Sequence, residues 1–128
     1  MAIEGQVGRV AELAQFSTEG FGRRRLAGTD RFLAVLAALE DGQQIPPHAP
    51  PLDLVMTIVE GAGQVMVGDA VRSVSAGDVV VVPAGVVRGL RAIGGRLLAV
   101  NVVSPPPGPD DHDHVPVPWP EEVAEPSR

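Results

Sequence analysis

The chain has 128 residues, of which 45% are hydrophobic and 20% charged, a balance that fits one folded domain and excludes a chain disordered throughout. It contains no cysteine, so disulfides, thiolate metal sites and thiol nucleophiles are excluded. No apolar run approaches the roughly 18 residues that a membrane-spanning helix needs, and the first residues lack an export pattern. We therefore expect a soluble, cytoplasmic protein.

The net charge of −6 is unevenly distributed along the chain. Residues 1–109 carry ten acids and nine arginines, whereas residues 110–128 carry six acids and one arginine. A nearly neutral body with an acidic end does not attract polyanions. The sequence therefore predicts neither a nucleic-acid partner nor a membrane partner.

The first forty residues give mixed signals. Residues 1–15 have a weak helical or mixed pattern, which predicts one helical turn at most. The arginines at 23–25 suggest either a phosphate site or a solvated edge strand, and the acidic total charge favours the strand. Apolar residues within 32–40 have helical spacing, with Gly42 as a natural helix end.

From residue 52 to residue 103 the chain reads as short strands separated by turns. Each segment is rich in valine or isoleucine and is bounded by Gly, Asp or Pro. No helix-sized connections separate the segments, so the sheet must be antiparallel, as in a sandwich or barrel. The predicted strands are 54–60, 63–67, 71–74, 79–82, 86–92 and 97–103.

Residues 105–128 form a different region, rich in proline and acids. Proline interrupts both helices and strand ladders, so we expect an extended tail following a barrel domain at 1–104. Trp119, the single tryptophan, is the one large side chain that could anchor this tail to the barrel. Removal of the chain after residue 108 is predicted to change the melting temperature little.

Two glycine-led segments carry the most specific pattern. In the first, five residues separate Gly42 from His48, and Leu54 is followed by six residues and then Gly61. In the second, five residues separate Gly77 from Pro83-Ala84-Gly85, which is followed by Val86, Val87, Arg88 and, four residues further on, Ala92. This spacing resembles the paired motifs of the cupin superfamily over roughly residues 25–103.

The resemblance implies an all-β fold, the antiparallel double-stranded β-helix or jelly-roll-like barrel. It therefore favours a strand over a helix at 32–40. Family members commonly form dimers through sheet edges, so a homodimer is expected.

The resemblance also locates the family's metal ligands, two histidines and a glutamate in the first motif and one histidine in the second. These positions hold His48, Pro50, Leu54 and Arg88 in this chain. Proline and leucine have no donor atom for a metal, and a guanidinium repels one. The sequence therefore predicts no metal and no other cofactor.

The same positions should still face the barrel interior, because side chains alternate along a strand. The predicted pocket is lined by His48, Pro50, Leu54, Met56, Arg88 and Leu90. An apolar cavity with two polar groups is typical of a small-molecule site. A ligand carboxylate or phosphate could pair with Arg88.

Three alternatives stay open from the sequence. Arg88 could reach the rim and pair with Asp53 or another acid. The protein could be a metal-independent isomerase, cyclase or lyase, in which His48 moves a proton and Arg88 stabilises an enolate or carboxylate. It could also be a metal-dependent enzyme in which His112 and His114 join His48. Whether any reaction is catalysed is not decided by the sequence.

Overall fold

The structure, a computed structural model, describes residues 5–108 and 116–123. Short helices α1 and α2 lie at Val10–Leu13 and Pro120–Val123. All the remaining regular elements within the described residues are strands. They are β1 Gly22–Gly28, β2 Leu33–Leu39, β3 Gln44–His48, β4 Asp53–Glu60, β5 Ala62–Val67, β6 Ala70–Ser75, β7 Val79–Val82, β8 Arg88–Ala92 and β9 Leu97–Ser104.

The strands form two sheets, one in the order β1-β2-β9-β4-β7 and the other in the order β3-β8-β5-β6. Every recorded strand pair is antiparallel. This confirms the predicted all-β double-stranded β-helix and the six predicted strands, with bounds that differ by at most two residues. Neither helix of the described chain is long and apolar enough to cross a membrane.

Strand β2 shows why its sequence resembles a helix. Ala37 and Leu39 face the core between the sheets, whereas Leu36 and Ala38 face a second cluster on the outer side. A strand that is covered on both faces has a continuous apolar sequence, and periodicity alone cannot distinguish it from a buried helix.

The core between the sheets follows the two-residue period of a strand. In β4, Leu54, Met56 and Ile58 are buried, whereas Val55 and Val59 on the opposite face are exposed. The other sheet contributes buried residues such as Val65, Val74, Leu90 and Ala92.

The segment before β1 covers the outer face of β2 and β9. Val10, Leu13 and Phe16 pack against the second cluster, which contains Leu36 and Leu98. The single helical turn expected in residues 1–15 is present as α1. β1 follows at the edge of the five-stranded sheet, in agreement with the edge-strand interpretation of its arginines.

The C-terminal segment covers part of the other sheet. Trp119 is only 1% exposed, its ring centroid lies 4.1 Å from the Arg91 guanidinium carbon, and its indole N–H donates to Gln44 Oε1. The backbone N–H of Val117 donates to the Pro47 carbonyl at 2.6 Å. The described residues around Val117 and Trp119 are therefore anchored to the barrel, which gives a reason to expect that removal of the tail lowers stability rather than leaving it unchanged. His112 and His114 lie outside the described residues.

Candidate functional site

A cavity of about 310 Å³ lies between the two sheets. All six residues of the predicted pocket line it: His48, Pro50, Leu54, Met56, Arg88 and Leu90. The structure thus brings these side chains together, and their role in binding stays a prediction. Arg23 from β1 and the prolines Pro107 and Pro116 also border the cavity.

The register of β3 and β8 sets the polar corner of the cavity. His48 pairs with Arg88, and the register shifts between Ile45 and His48, where two consecutive prolines interrupt the ladder. Gly89 allows this close approach: a Cβ at that position would lie 2.7 Å from Pro47 Cγ. The absence of a side chain at Gly89 therefore allows β3 to pack closely against β8, beside His48 and Arg88.

Arg88 is buried, with 5% of its surface exposed. Its Nη2 donates to the Pro83 carbonyl at 2.9 Å and to the Val86 carbonyl at 3.2 Å, and its Nε also donates to Val86 at 3.2 Å. Its Nη1 is buried and has no acceptor among the described residues. The guanidinium is therefore held by backbone carbonyls, and within the described part of the chain one of its donor groups has no partner.

The alternative in which Arg88 pairs with Asp53 at the rim is not the arrangement in the structure. Within residues 5–108 and 116–123, none of the recorded ion pairs includes Arg88, and the Asp53 carboxylate accepts the Ala84 N–H at 2.8 Å. Burial lowers the pKa of Arg88, and the charge of Asp53 opposes this effect from a longer distance. A buried charge without a carboxylate partner is unfavourable unless a ligand supplies one.

Sequence reasoning missed Asn101. This residue of β9 pairs with Met56 on one side and Val35 on the other, and all three line the cavity. Its Oδ1 is buried and has no hydrogen-bond donor among the described residues. Strand alternation could have identified it, because Asn101 is two residues from Ala99, which faces the core.

His48 is oriented by its own strand. Its Nδ1 lies 3.0 Å from the carbonyl oxygen of Pro46. A carbonyl only accepts hydrogen bonds, so Nδ1 carries a proton in this contact. The contact therefore orients the imidazole at the cavity wall.

The residues at the family's metal positions do not fit a metal. Of the four, only His48 offers a donor atom, and Arg88 adds a positive charge. Among the residues that the structure describes, no group of three His, Cys, Asp or Glu side chains could hold a metal ion. An arrangement that uses His112 and His114 falls outside the described residues and stays a prediction.

The electrostatic character of the cavity is positive. Arg23 and Arg88 are the charged side chains on its described lining, which includes no aspartate or glutamate. Most of the remaining lining is aliphatic, including Leu33, Val35 and Leu54. The cavity therefore combines an apolar wall with fixed positive charge.

Comparison with known proteins agrees with this architecture. The structure is similar to the TT1209 protein from Thermus thermophilus, with 27% identity, a TM-score of 0.75, and coverage of 79% of this chain and 98% of that chain. It is also similar to an uncharacterised protein with a double-stranded β-helix domain from Klebsiella pneumoniae, with 26% identity, a TM-score of 0.74, and coverage of 80% and 91%.

A third similar structure is that of KdgF from Halomonas sp., with 27% identity, a TM-score of 0.65, and coverage of 71% of this chain and 85% of that chain. No curated protein matches the sequence. The family model described as the cupin domain matches residues 35–103, which is more than half of the chain. The motif spacing, the two antiparallel sheets and this match together establish that the chain belongs to the cupin domain family.

Proposed function

We propose that the protein binds a small organic anion in the cavity, with Arg88 as the residue that receives the acid group. The observation that carries this proposal is the buried Nη1 of Arg88, which has no acceptor among the described residues. A carboxylate or phosphate would accept from it in a charge-assisted hydrogen bond. No aspartate or glutamate is on the described lining, and Asp53 acts on Arg88 through its charge without a recorded ion pair among the described residues.

The cavity also limits the size of the ligand. A volume of about 310 Å³ lies at the small end of the range for ligand pockets, roughly 300–1,000 Å³. The aliphatic wall would contact an apolar remainder of the molecule. The class that we expect is therefore a compact acid with an apolar part.

Thermal denaturation in the presence of carboxylates and phosphates tests this proposal. A binding anion should stabilise the protein by RT ln(1 + [L]/Kd), which is about 2.7 kcal/mol at a hundredfold excess over Kd. Arg88→Met should abolish the shift and leave the ligand-free protein as stable or more so, because it removes a buried, unpaired charge. Arg88→Lys should retain part of the shift, since it keeps the positive charge but loses the planar set of donors that holds the guanidinium on the Pro83 and Val86 carbonyls.

Arg72→Met is the matched control, because Arg72 is an exposed arginine of β6 outside the cavity lining. It should leave the anion-dependent shift unchanged. If no anion stabilises the wild-type protein, or if Arg88→Met retains the full shift, the proposal is wrong.

A second candidate function is metal-independent proton transfer on the bound anion. It is favoured by the pairing of His48 with Arg88 and by the hydrogen bond of Nδ1 with the Pro46 carbonyl, which orients the imidazole. Such a base beside a carboxylate-binding arginine could remove a proton from the adjacent carbon, while Arg88 stabilises the enolate.

Proton NMR in deuterium oxide tests the second candidate. Catalysis predicts that the carbon next to the acid group of a bound ligand exchanges its proton for deuterium. His48→Gln should stop the exchange and leave binding in place. Binding without exchange in the wild-type protein would leave the binding function alone.

A further inference from the structure

We infer that the bound anion carries a hydrogen-bond donor beside its acid group, as a hydroxy carboxylate does, and that Asn101 recognises this donor. This inference rests on the proposed function and narrows its ligand class. It uses an observation that the binding proposal does not need, the unpaired oxygen of Asn101.

The two unpaired groups of the cavity are complementary in kind. Arg88 Nη1 is a buried donor without an acceptor, and Asn101 Oδ1 is a buried acceptor without a donor, among the described residues. They line the same cavity but do not bond to each other. A third group that accepts from one and donates to the other would satisfy both.

Their positions place these groups on opposite walls. Arg88 lies on β8 of the four-stranded sheet, and Asn101 lies on β9 of the five-stranded sheet. Packed sheets are about 10 Å apart, so a single small molecule can contact both walls. A plain carboxylate would satisfy Arg88 and leave Asn101 Oδ1 unpaired.

A hydroxy carboxylate provides both functions within one short unit. Its acid oxygens accept from Arg88, and its hydroxyl donates to Asn101. Because neither protein atom is open to solvent in this structure, binding requires each side chain to turn slightly toward the cavity. Both side chains have the torsional freedom for this, since the terminal amide torsion of asparagine is broad and arginine is long.

The apolar wall adds a third point of contact. Leu54, Met56 and Leu90 are buried and line the cavity, so they can hold an alkyl or aryl group of the ligand. Contacts at an acid, a hydroxyl and an apolar group distinguish the two enantiomers of a hydroxy acid. We therefore expect one enantiomer to bind more tightly than the other.

Calorimetric titration with matched acids tests the inference. The pairs are lactate against propionate, malate against succinate, and each enantiomer of mandelate against phenylacetate. In the wild-type protein, the tighter-binding enantiomer of each hydroxy acid should bind at least about tenfold more tightly than the matching acid without the hydroxyl. The reason is that the acid without the hydroxyl leaves the buried Asn101 oxygen unpaired. If a variant fails to fold, the affinities measured with the wild-type protein still decide whether hydroxy acids are preferred.

Variants assign the preference to a residue. Asn101→Leu, which keeps the approximate volume and removes the acceptor, should bring the affinities within each pair close together. Thr57→Leu is the matched control, since it also replaces a polar side chain by leucine, on the neighbouring strand β4, but lies outside the cavity lining. It should preserve the preference.

The outcomes separate this inference from the proposed function. If hydroxy acids and plain acids bind the wild-type protein equally, and Arg88→Met removes both, the inference is wrong and anion binding stands. If Asn101→Leu keeps the full preference, the assignment to Asn101 is wrong. If none of these acids binds, this inference fails, and the failure of phosphates as well would overturn anion binding itself.

Discussion

Arg88 occupies a position that holds a metal-binding histidine in the cupin motif, and its surroundings explain how the barrel accepts a larger, charged side chain there. The carbonyls of Pro83 and Val86 come from the turn directly before β8 and take hydrogen bonds from two of the three guanidinium nitrogens. The third nitrogen, Nη1, is buried and has no acceptor among the described residues. Under the proposed function, the replacement converts a corner that binds a cation in the cupin motif into one that receives an anion.

This exchange predicts that the protein holds far less than one metal ion per chain. Three of the four family positions have no metal-binding atom or carry a positive charge, and one imidazole binds Fe, Mn, Ni or Zn weakly. Elemental analysis of untagged protein checks this expectation. Near-stoichiometric metal that is lost in His48→Ala would contradict it and would direct attention to His112 and His114.

The sequence predicted the cavity residues where they belong to the spaced motif. Pro50, Leu54 and Arg88 could be placed because the glycines and Pro83 fix the register of two strands. Asn101 and Arg23 could not be placed in this way, since they lie on β9 and β1 outside the motif. Strand alternation places Asn101 on the same face of β9 as Ala99. Which faces of β9 and β1 turn inward depends on their pairing with β2, a contact between distant parts of the chain.

At the level of secondary structure, the local sequence pattern is the poorest guide to the type of an element when both faces of that element are covered. The apolar run of β2 could be read as a strand only because the motif required a strand before Gly42. For the C-terminal segment, no motif adds to what the local sequence predicts. Its prolines and acids predict an extended tail, but nothing in its local sequence indicates that Arg91, Gln44 and Pro47 form a docking surface for it.

The docking of this segment predicts that Trp119→Ala destabilises the protein by at least about 1 kcal/mol, or roughly 4 °C in melting temperature. The substitution removes a fully buried ring from the outer face of β8 and the stacking on Arg91. Circular dichroism on heating measures the change. Trp119→Phe should lose less, because it keeps an aromatic ring and gives up the indole hydrogen bond and only part of the buried volume. An unchanged melting temperature in Trp119→Ala would show that the docked segment contributes nothing to stability.

The same segment should respond to acid. The hydrogen bond and charge of Arg91 lower the pKa of Glu121 below its ordinary value of 4.5. A carboxylate with a lowered pKa in the folded state stabilises that state above its ordinary pKa, and this contribution is lost as the pH falls through the lowered value. Docking should therefore weaken progressively below pH 4.5.

Fluorescence of Trp119 follows this transition, because the protein has a single tryptophan. Glu121→Gln should reduce the acid-dependent change in the emission. Glu40→Gln is the control, since Glu40 pairs with Arg96 beside the N-terminal segment and its loss should leave the emission profile unaltered. A profile unaffected by Glu121→Gln would exclude this ion pair as the source.

For the whole molecule, the chain covers much of its own outer surface. The N-terminal segment lies over β2 and β9, and Trp119 lies over β8. The outer face of β4 and β7 retains exposed valines, with Val79 59% and Val81 65% exposed. This apolar face is the part of the barrel surface most suited to a second copy of the chain.

The edge strands of the two sheets also differ in how well they are protected against pairing with another chain. A free strand edge invites pairing unless charge or proline protects it. β1 carries Arg23–Arg25, β3 contains two prolines and β6 contains Arg72, whereas Val79–Val82 of β7 has neither a charge nor a proline. Of the four edges that the described sheets present, β7 is therefore the one that we expect to pair across a two-fold axis.

We accordingly expect a homodimer in which the β7 edges of two protomers meet, as a symmetric contact requires. Val81→Glu should shift the protein toward monomer, because it places a carboxylate in the apolar centre of the contact, where it would have to lose its hydration. Ile93→Glu is the matched control, since Ile93 is also exposed, at 49%, but lies away from β7. Sedimentation velocity over a range of concentrations distinguishes the states. A wild-type monomer at high concentration, or a dimer unaffected by Val81→Glu, would show that β7 is not the interface and that its valines remain in contact with water.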